Sequence, residues 1–254
     1  MHIEAGIATI DVDLDGGRLA KLSVAGLDML VPEAEKPTRW GSFPMIPWCG
    51  RLPFGALHFD GADYTFPITS APHANHGRTH LQRWDVVDHR TIRTDLVDPW
   101  PFGGHAIQVF DLADDRLTVT VEVHAGHRPM PAMAGWHPWF RRQLSRGRRA
   151  ELTFSAASMY ATDDEATPTG ELIPVPPGPW DACFVGLVAD PVIEWPGAIK
   201  LTISSTFDHW VIFTEPEEAL CVEPQSGPPN QLNANPVVLQ PGESLSGSMT
   251  FAWS

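Results

Sequence analysis

The chain of 254 residues is poor in cysteine, poor in tyrosine and without a long apolar run. Its three cysteines, Cys49, Cys183 and Cys221, are scattered and odd in number, with no CxxC pair. That excludes a disulfide scaffold or a cysteine zinc finger and leads us to expect a reducing, cytoplasmic setting. No apolar stretch approaches the ~18 residues of a membrane span. The start, Met1-His-Ile-Glu-Ala-Gly6, has neither a basic nor an apolar leader region, so no secretion signal is expected. Bases are scarce after residue 149: Lys200 stands alone there against 14 acids. The net charge of −14 argues against nucleic acid or an anionic membrane as a general partner.

What is present is core-forming material. Hydrophobic residues make up 43% of the chain and tryptophan occurs 10 times, enough to bury a sizeable interior rather than remain disordered. The length exceeds the usual ~150-residue prior, yet all-β chains of ~200–250 residues commonly form one domain, so a single domain over residues 1–254 is expected. With 21 Gly and 25 Pro, turn signals interrupt the chain every few residues and leave short strand-like runs between them. Leu117–His124 alternates strictly, with Leu117, Val119, Val121 and Val123 on one face, as in a half-buried strand. Residues 56–68 read as a hairpin turning at Asp60-Gly61. Further strands are expected over 3–13, 18–24, 84–92, 105–112, 132–140, 150–155, 199–204, 210–214, 220–223 and 244–253, with a helical turn near 229–234. No amphipathic helix stands out, so the pattern predicts an all-β sandwich or barrel. The basic run between Arg141 and Arg149 reads as a solvated loop, with a partner-docking or phosphate-binding patch as the alternative.

Four segments stand apart from the strand pattern. Pro44–Gly55 is too rich in Pro and Gly for a regular strand and sets Arg51 among apolar residues. A lone Arg there fits an ion pair or a clamp on carbonyls, or a fork of donors that orients a ligand hydroxyl or carboxylate. Pro72–His80 holds His73, His76 and His80, which fit a metal site, a single catalytic histidine or no role. Met130–Phe140 carries His137 before a proline, which favours extended backbone and disrupts regular pairing. Trp136, Trp139 and Phe140 flank it, and serve either as core or as the wall of a ligand pocket that tunes the imidazole. Leu220–Asn230 places Glu223 at the end of an apolar run, where partial desolvation raises a carboxyl pKa towards that of a general base; an ordinary strand-end glutamate paired with an arginine is the alternative.

Taken in order, these segments resemble the aldose 1-epimerase (galactose mutarotase) family from about Trp40 to the C-terminus. The matching pieces are Cys49-Gly-Arg51-Leu with Gly55 and Asp60-Gly61, Asn75-His76-Gly77 with Trp84, Met130-Pro131 with Gly135-Trp-His137-Pro-Trp-Phe140, and Val222-Glu223-Pro-Gln-Ser-Gly-Pro-Pro229. The last two are the most specific.

The resemblance implies a large antiparallel β-sandwich, the galactose mutarotase-like supersandwich, and a metal-independent exchange of the α and β anomers of a free sugar, with no cofactor. Glu223 would be the general base, His137 the general acid and His76 a second histidine beside the ring. Arg51 would bind hydroxyls, and Asp181 corresponds to a hydroxyl-binding aspartate. Trp48, Trp136 or Trp139 would stack on the sugar. The partner is then a small sugar, with room for a homodimer. Two departures bear on substrate. Arg78 follows His76-Gly77 where relatives often have a second glycine, and Trp139 replaces a tyrosine. A neutral sugar is the first expectation; a hexose 6-phosphate anchored by Arg78 and Arg83 is the second. The competing readings are a non-catalytic sugar-binding protein, a metal enzyme using His73, His76 and His80, and a lyase with a tyrosine base. The lyase reading is weakened because Tyr64 and Tyr160 are the only tyrosines and neither lies in a matching segment.

Overall fold

The computed structural model describes all residues, 1–254. Two large antiparallel sheets dominate it. The larger, of eleven strands, runs from the His2–Ala5 strand through Ala8–Asp13 and Arg18–Val24 to Ser42–Met45. It continues through Gly135–Arg141, Ala219–Gln225, His209–Phe213 and Asp181–Leu187 to Ala156–Thr162 and Pro168–Ile173. The second, of eight strands, is centred on His105–Leu112, Arg116–His124, Ser244–Trp253 and Ile199–Ser205. The all-β expectation therefore holds, and the helical turn near 229–234 is Gln231–Ala234. No helix is long and apolar enough to cross a membrane.

Side-chain period explains how the sheets meet. The inward residues of Arg116–His124 are Leu117, Val119, Val121 and Val123, all essentially inaccessible. On the larger sheet, Phe140 meets Phe251 of the other edge-on, with ring centroids 5.5 Å apart. Each such buried side chain contributes about 1.5–3 kcal/mol relative to exposure. One contiguous apolar cluster runs from Ala8 to Phe251. A polar cross-brace joins the layers: Gln108 donates to the Gly17 carbonyl at 2.6 Å and accepts from the Trp136 indole at 3.2 Å.

Several sequence expectations need correction. The 3–13 run is a hairpin, because Gly6 turns the chain at φ 54° between His2–Ala5 and Ala8–Asp13. The 84–92 run is two short strands, Asp85–Val86 and Thr91–Asp95. Pro44 does lie in a strand, Ser42–Met45, since a proline is tolerated where its missing N–H is not needed by the ladder. The basic run is an exposed loop over residues 145–149, as expected, but its first arginines are half-buried and bonded: Arg141 donates to the Leu30 carbonyl, and Arg142 to the carbonyls of Thr214, Pro216 and Ala219. Arg149 likewise clamps the Glu217 carbonyl. Arg142 and Arg149 thus tie the acidic 214–219 segment to the sheet, while Arg146 and Arg148 face solvent.

Candidate active site

The site is built from two rungs of the larger sheet. Gly135–Arg141 pairs with Ser42–Met45 on one side, with His137 opposite Phe43. On its other side the pairs Gly135↔Gln225 and Trp139↔Cys221 bracket an interval in which His137 stands level with Glu223. Pro138 and Pro224 lie in that interval and have no N–H to give, so regular ladder bonding lapses there while the chains stay extended. This is the disruption that the His137-Pro138 sequence predicted. The rung continues from Glu223 to Val211 and Cys183. The next rung is Trp139, Cys221, Phe213 and Asp181. Residues opposite one another share a face, so His137, Trp139, Glu223 and Asp181 all point away from the sandwich core. Trp136, Phe140, Leu220 and Val222 on the same two strands point into it. The segment is apolar on both faces because one face is core and the other is the wall of a cavity.

Loops complete the cavity, of about 580 Å³, with Arg51, His76, His137, Trp139, Asp181 and Glu223 among its lining residues. His76 has a left-handed backbone (φ 62°) and is followed by Gly77 (φ 64°). The His76 N–H donates to the Gly50 carbonyl at 2.9 Å, and the Arg78 N–H to that of Ile46 at 2.9 Å. A Cβ on residue 77 would lie 1.9 Å from the Ile46 oxygen, so only glycine lets the chain close up there. The turn carries the His76 ring to within 5.0 Å of the His137 ring, edge to face. Arg51 spans the mouth, with Nη2 at 3.0 Å from Asp181 and Nη1 donating to the Ala166 carbonyl at 3.2 Å. Both readings of Arg51 as a structural group, ion pair and carbonyl clamp, are thus realised at the cavity.

His137 and Glu223 form the buried titratable pair of the cavity. His137 Nε2 lies 3.4 Å from Glu223 Oε1, and both side chains are buried. The imidazole is held between Phe43, at 4.9 Å, and Trp139, stacked parallel at 5.2 Å. Burial first, and the Asp181 carboxylate second, push the Glu223 carboxyl well above its usual range, with Arg51 opposing. Burial also pushes His137 down to about 3, helped by His80, Arg18 and Arg39. His76 is held well below its ordinary value by burial and by His137. The Glu223 and His137 shifts thus both disfavour the charged forms across the 3.4 Å contact.

The remaining candidates divide. Trp139 lines the cavity; Trp48 packs on Phe66 and Trp100, and Trp136 faces the core, so neither can stack on a ligand there. Arg78 follows the His76 turn but does not line the cavity, and Arg83 is an exposed partner of Asp15 at 2.8 Å. The phosphate anchor expected from these two is thus misplaced. His73, His76 and His80 do not converge: His73 turns to the Glu165 carbonyl at 3.1 Å, and His80 packs under Phe43. The single group of metal-capable donors within 4.8 Å of one another is His137, Cys221 and Glu223. Burial raises the Cys221 thiol well above its ordinary value, which disfavours the thiolate a metal would need. Gln225, missed in the sequence, also lines the cavity and has no protein partner at either amide atom. Its place two residues after Glu223, on the same strand face, was the available signal.

A family model described as aldose 1-epimerase matches residues 2–252. The uncharacterized protein YihR of Escherichia coli K12 is 26% identical over 166 residues, 61% of this chain and 54% of that protein. The chain thus aligns with little more than half the length of that curated relative. A galactose mutarotase-like protein from Clostridium acetobutylicum superposes with a TM-score of 0.85 at 18% identity, over 100% of this chain and 94% of that one. The GalM/aldose epimerase homologue from C. elegans gives 0.84 at 18% identity, over 100% and 98%. At such identities these structures speak for the fold. The family match spans almost the whole sequence and includes every residue of the two rungs, and on that ground the chain belongs to the aldose 1-epimerase family.

Proposed function

We propose that this protein is a mutarotase, an isomerase that exchanges the α and β anomers of a free aldose by opening and reclosing its ring. The observation that carries the reading is the His137–Glu223 pair, level across adjacent strands at 3.4 Å and buried in the wall of a cavity. Ring opening must take a proton from the anomeric hydroxyl O1 and give one to the ring oxygen O5. Glu223 receives the first and His137 delivers the second, so neither an alkoxide nor an oxocarbenium ion accumulates. The C1–C2 bond of the open aldehyde then turns, and the same two groups run the step backwards on the other face. The C1–O5 bond breaks as the C1–O1 bond becomes a carbonyl, the protons taken and given balance over the cycle, and there is no net oxidation or reduction.

The pair needs one proton between its members. Before sugar binds, that proton favours Glu223, because burial penalises both charged forms. A sugar that brings hydroxyl donors to the carboxylate offsets part of the penalty, and the proton can cross to the imidazole. His76, edge-on to His137, supports the ring of the acid and faces the sugar; Arg51, pre-oriented by Asp181, grips hydroxyls. Acid and base catalysis contribute roughly 10²–10⁴-fold each, or about 3–5 kcal/mol of barrier. Polarimetry on freshly dissolved α-D-glucose and α-D-galactose tests the proposal. Wild type should speed equilibration and His137→Asn should lose most of the effect; equal rates for the two proteins would remove His137 from the mechanism.

A further inference from the structure

We propose that the aldose carries an anion on its exocyclic carbon and that Lys36 and Arg39 hold it. The inference rests on the mutarotase reading above and adds the substrate class to it. In a chain of net charge −14, the cavity is lined by three cations, Lys36, Arg39 and Arg51, against two acids, Asp181 and Glu223. Arg51 and Asp181 neutralise each other at 3.0 Å. Glu223 is buried and favours its uncharged form. Lys36 and Arg39 are left uncompensated, and neither forms an ion pair with any acid of the chain.

Local structure presents the two together. The Arg39 N–H donates to the Lys36 carbonyl at 3.0 Å, closing a turn with Pro37 at its second position, where a fixed φ favours the bend. Such a turn brings its first and last Cα atoms within about 7 Å, so both side chains start from one edge of the rim. The acids beside them do not follow: Glu33 lines a separate surface depression with Lys21 and Asp28, and Glu35 does not line the cavity.

The chemistry says which end of the sugar they meet. In a pyranose, the exocyclic carbon hangs from the ring carbon next to O5. The group that protonates O5 therefore fixes the side on which that carbon leaves. Trp139 stacks on His137 at 5.2 Å, and the Arg39 guanidinium lies over Trp139 at 5.6 Å. His137, Trp139 and Arg39 thus follow one another from the reacting oxygen to the exposed rim. An anionic exocyclic group emerging there meets a planar donor fork and an ammonium, whereas a neutral hydroxymethyl would leave both rim cations without an anion.

Anomer exchange followed by NMR on glucose, glucose 6-phosphate and glucuronate tests this, with calorimetric titration of the same three sugars as a readout independent of turnover. The glucose 6-phosphate and glucuronate arms separate a phosphate from a carboxylate. At low salt, wild type should favour one anionic sugar over glucose by about tenfold or more in kcat/KM and in Kd, the scale of charge-assisted hydrogen bonds. The preference should shrink to within about threefold in the Lys36→Ala/Arg39→Ala double variant, and should weaken as salt screens exposed charges. Glucose handled as well as either anion, or a preference that survives the double substitution, overturns the inference. Exchange that is accelerated without charge preference refutes only this step. Absence of exchange with every sugar refutes the mutarotase reading, and the Kd ratio then decides the charge question alone.

Discussion

Replacing Glu223 by glutamine should impair catalysis and strengthen the fold at once. The residue is 2% exposed, its carboxyl oxygen lies 3.4 Å from His137 Nε2, and Gln matches its shape. Loss of the proton acceptor should lower turnover roughly 10²–10⁴-fold. The stability effect follows from the raised carboxyl pKa. Below the ordinary value of 4.5 both folded and unfolded chains carry the proton, and wild type suffers no penalty. As pH rises from there to the folded-state pKa, the unfolded chain releases the proton and the folded one keeps it. Wild type then loses about 1.4 kcal/mol of stability per pH unit until the folded carboxyl also ionises. The Gln variant has no such loss, so its advantage should be near zero at pH 4.5 and grow upward before levelling off. Urea unfolding at pH 4.5, 6 and 8, alongside polarimetry, measures both effects. A variant that keeps activity within about threefold contradicts the 10²-fold minimum and sinks the base assignment. A stability difference that does not change with pH sinks the buried, protonated carboxyl.

Other substitutions probe the surroundings. Arg51→Ala should raise KM about 10–100-fold, from the loss of charged hydrogen bonds worth ~1.5–3 kcal/mol, with a smaller effect on kcat; unchanged KM for every sugar turned over would place Arg51 outside the binding site. Gly77→Ala should destabilise by about 1–3 kcal/mol from its left-handed backbone alone, and more because the new Cβ meets the Ile46 oxygen. Thermal unfolding checks this, and an unchanged melting temperature would contradict the close approach. His80 is buried and held down to about 4 by burial first and Arg18 second. Its neutral form is favoured above 6.5, and the associated stability is lost as pH falls from 6.5 towards 4. Relative to His80→Gln, wild type should therefore lose about 2 kcal/mol between pH 7 and pH 5; a flat difference in denaturant titrations refutes it. Chelation should leave turnover intact, and activity lost with chelator and regained with zinc would point to His137, Cys221 and Glu223.

The sequence was legible where side chains alternate against one core. The expected strands at 18–24, 105–112 and 244–253 coincide with those observed, and the 56–68 hairpin turns where Asp60-Gly61 said it would. It was opaque over 156–187, where Ala156–Thr162, Pro168–Ile173 and Asp181–Leu187 extend one end of the larger sheet. The outer two are partly or fully exposed along most of their length, so no hydrophobic period marks them. The family motifs supplied Arg51, His76, His137 and Glu223 as candidates, and Asp181, which lies outside the four matching segments, lies against Arg51. Arg78 was misjudged because nearness in sequence to His76 says nothing about where a side chain points after a left-handed turn. Lys36 and Arg39 were missed because they sit outside every motif and reach the cavity through a turn in the connection that leads into Ser42–Met45.

His137 and Glu223, the proposed acid and base, face one another because of the register between Gly135–Arg141 and Ala219–Gln225. Their separation is thus a property of the sheet's lattice, set by the same pairing that builds the core behind it. The groups that would choose the substrate, Lys36, Arg39, Arg51 and His76, hang instead on turns and short connections around the rim. Reaction and recognition are consequently separable in inheritance. On the proposed reading, insertions or exchanges in the rim would retarget the protein to a different sugar while the geometry of the His137–Glu223 pair passed unchanged to the descendant. A one-residue slip in the central pairing, by contrast, would turn His137 away from Glu223 and end the chemistry whatever the rim looks like.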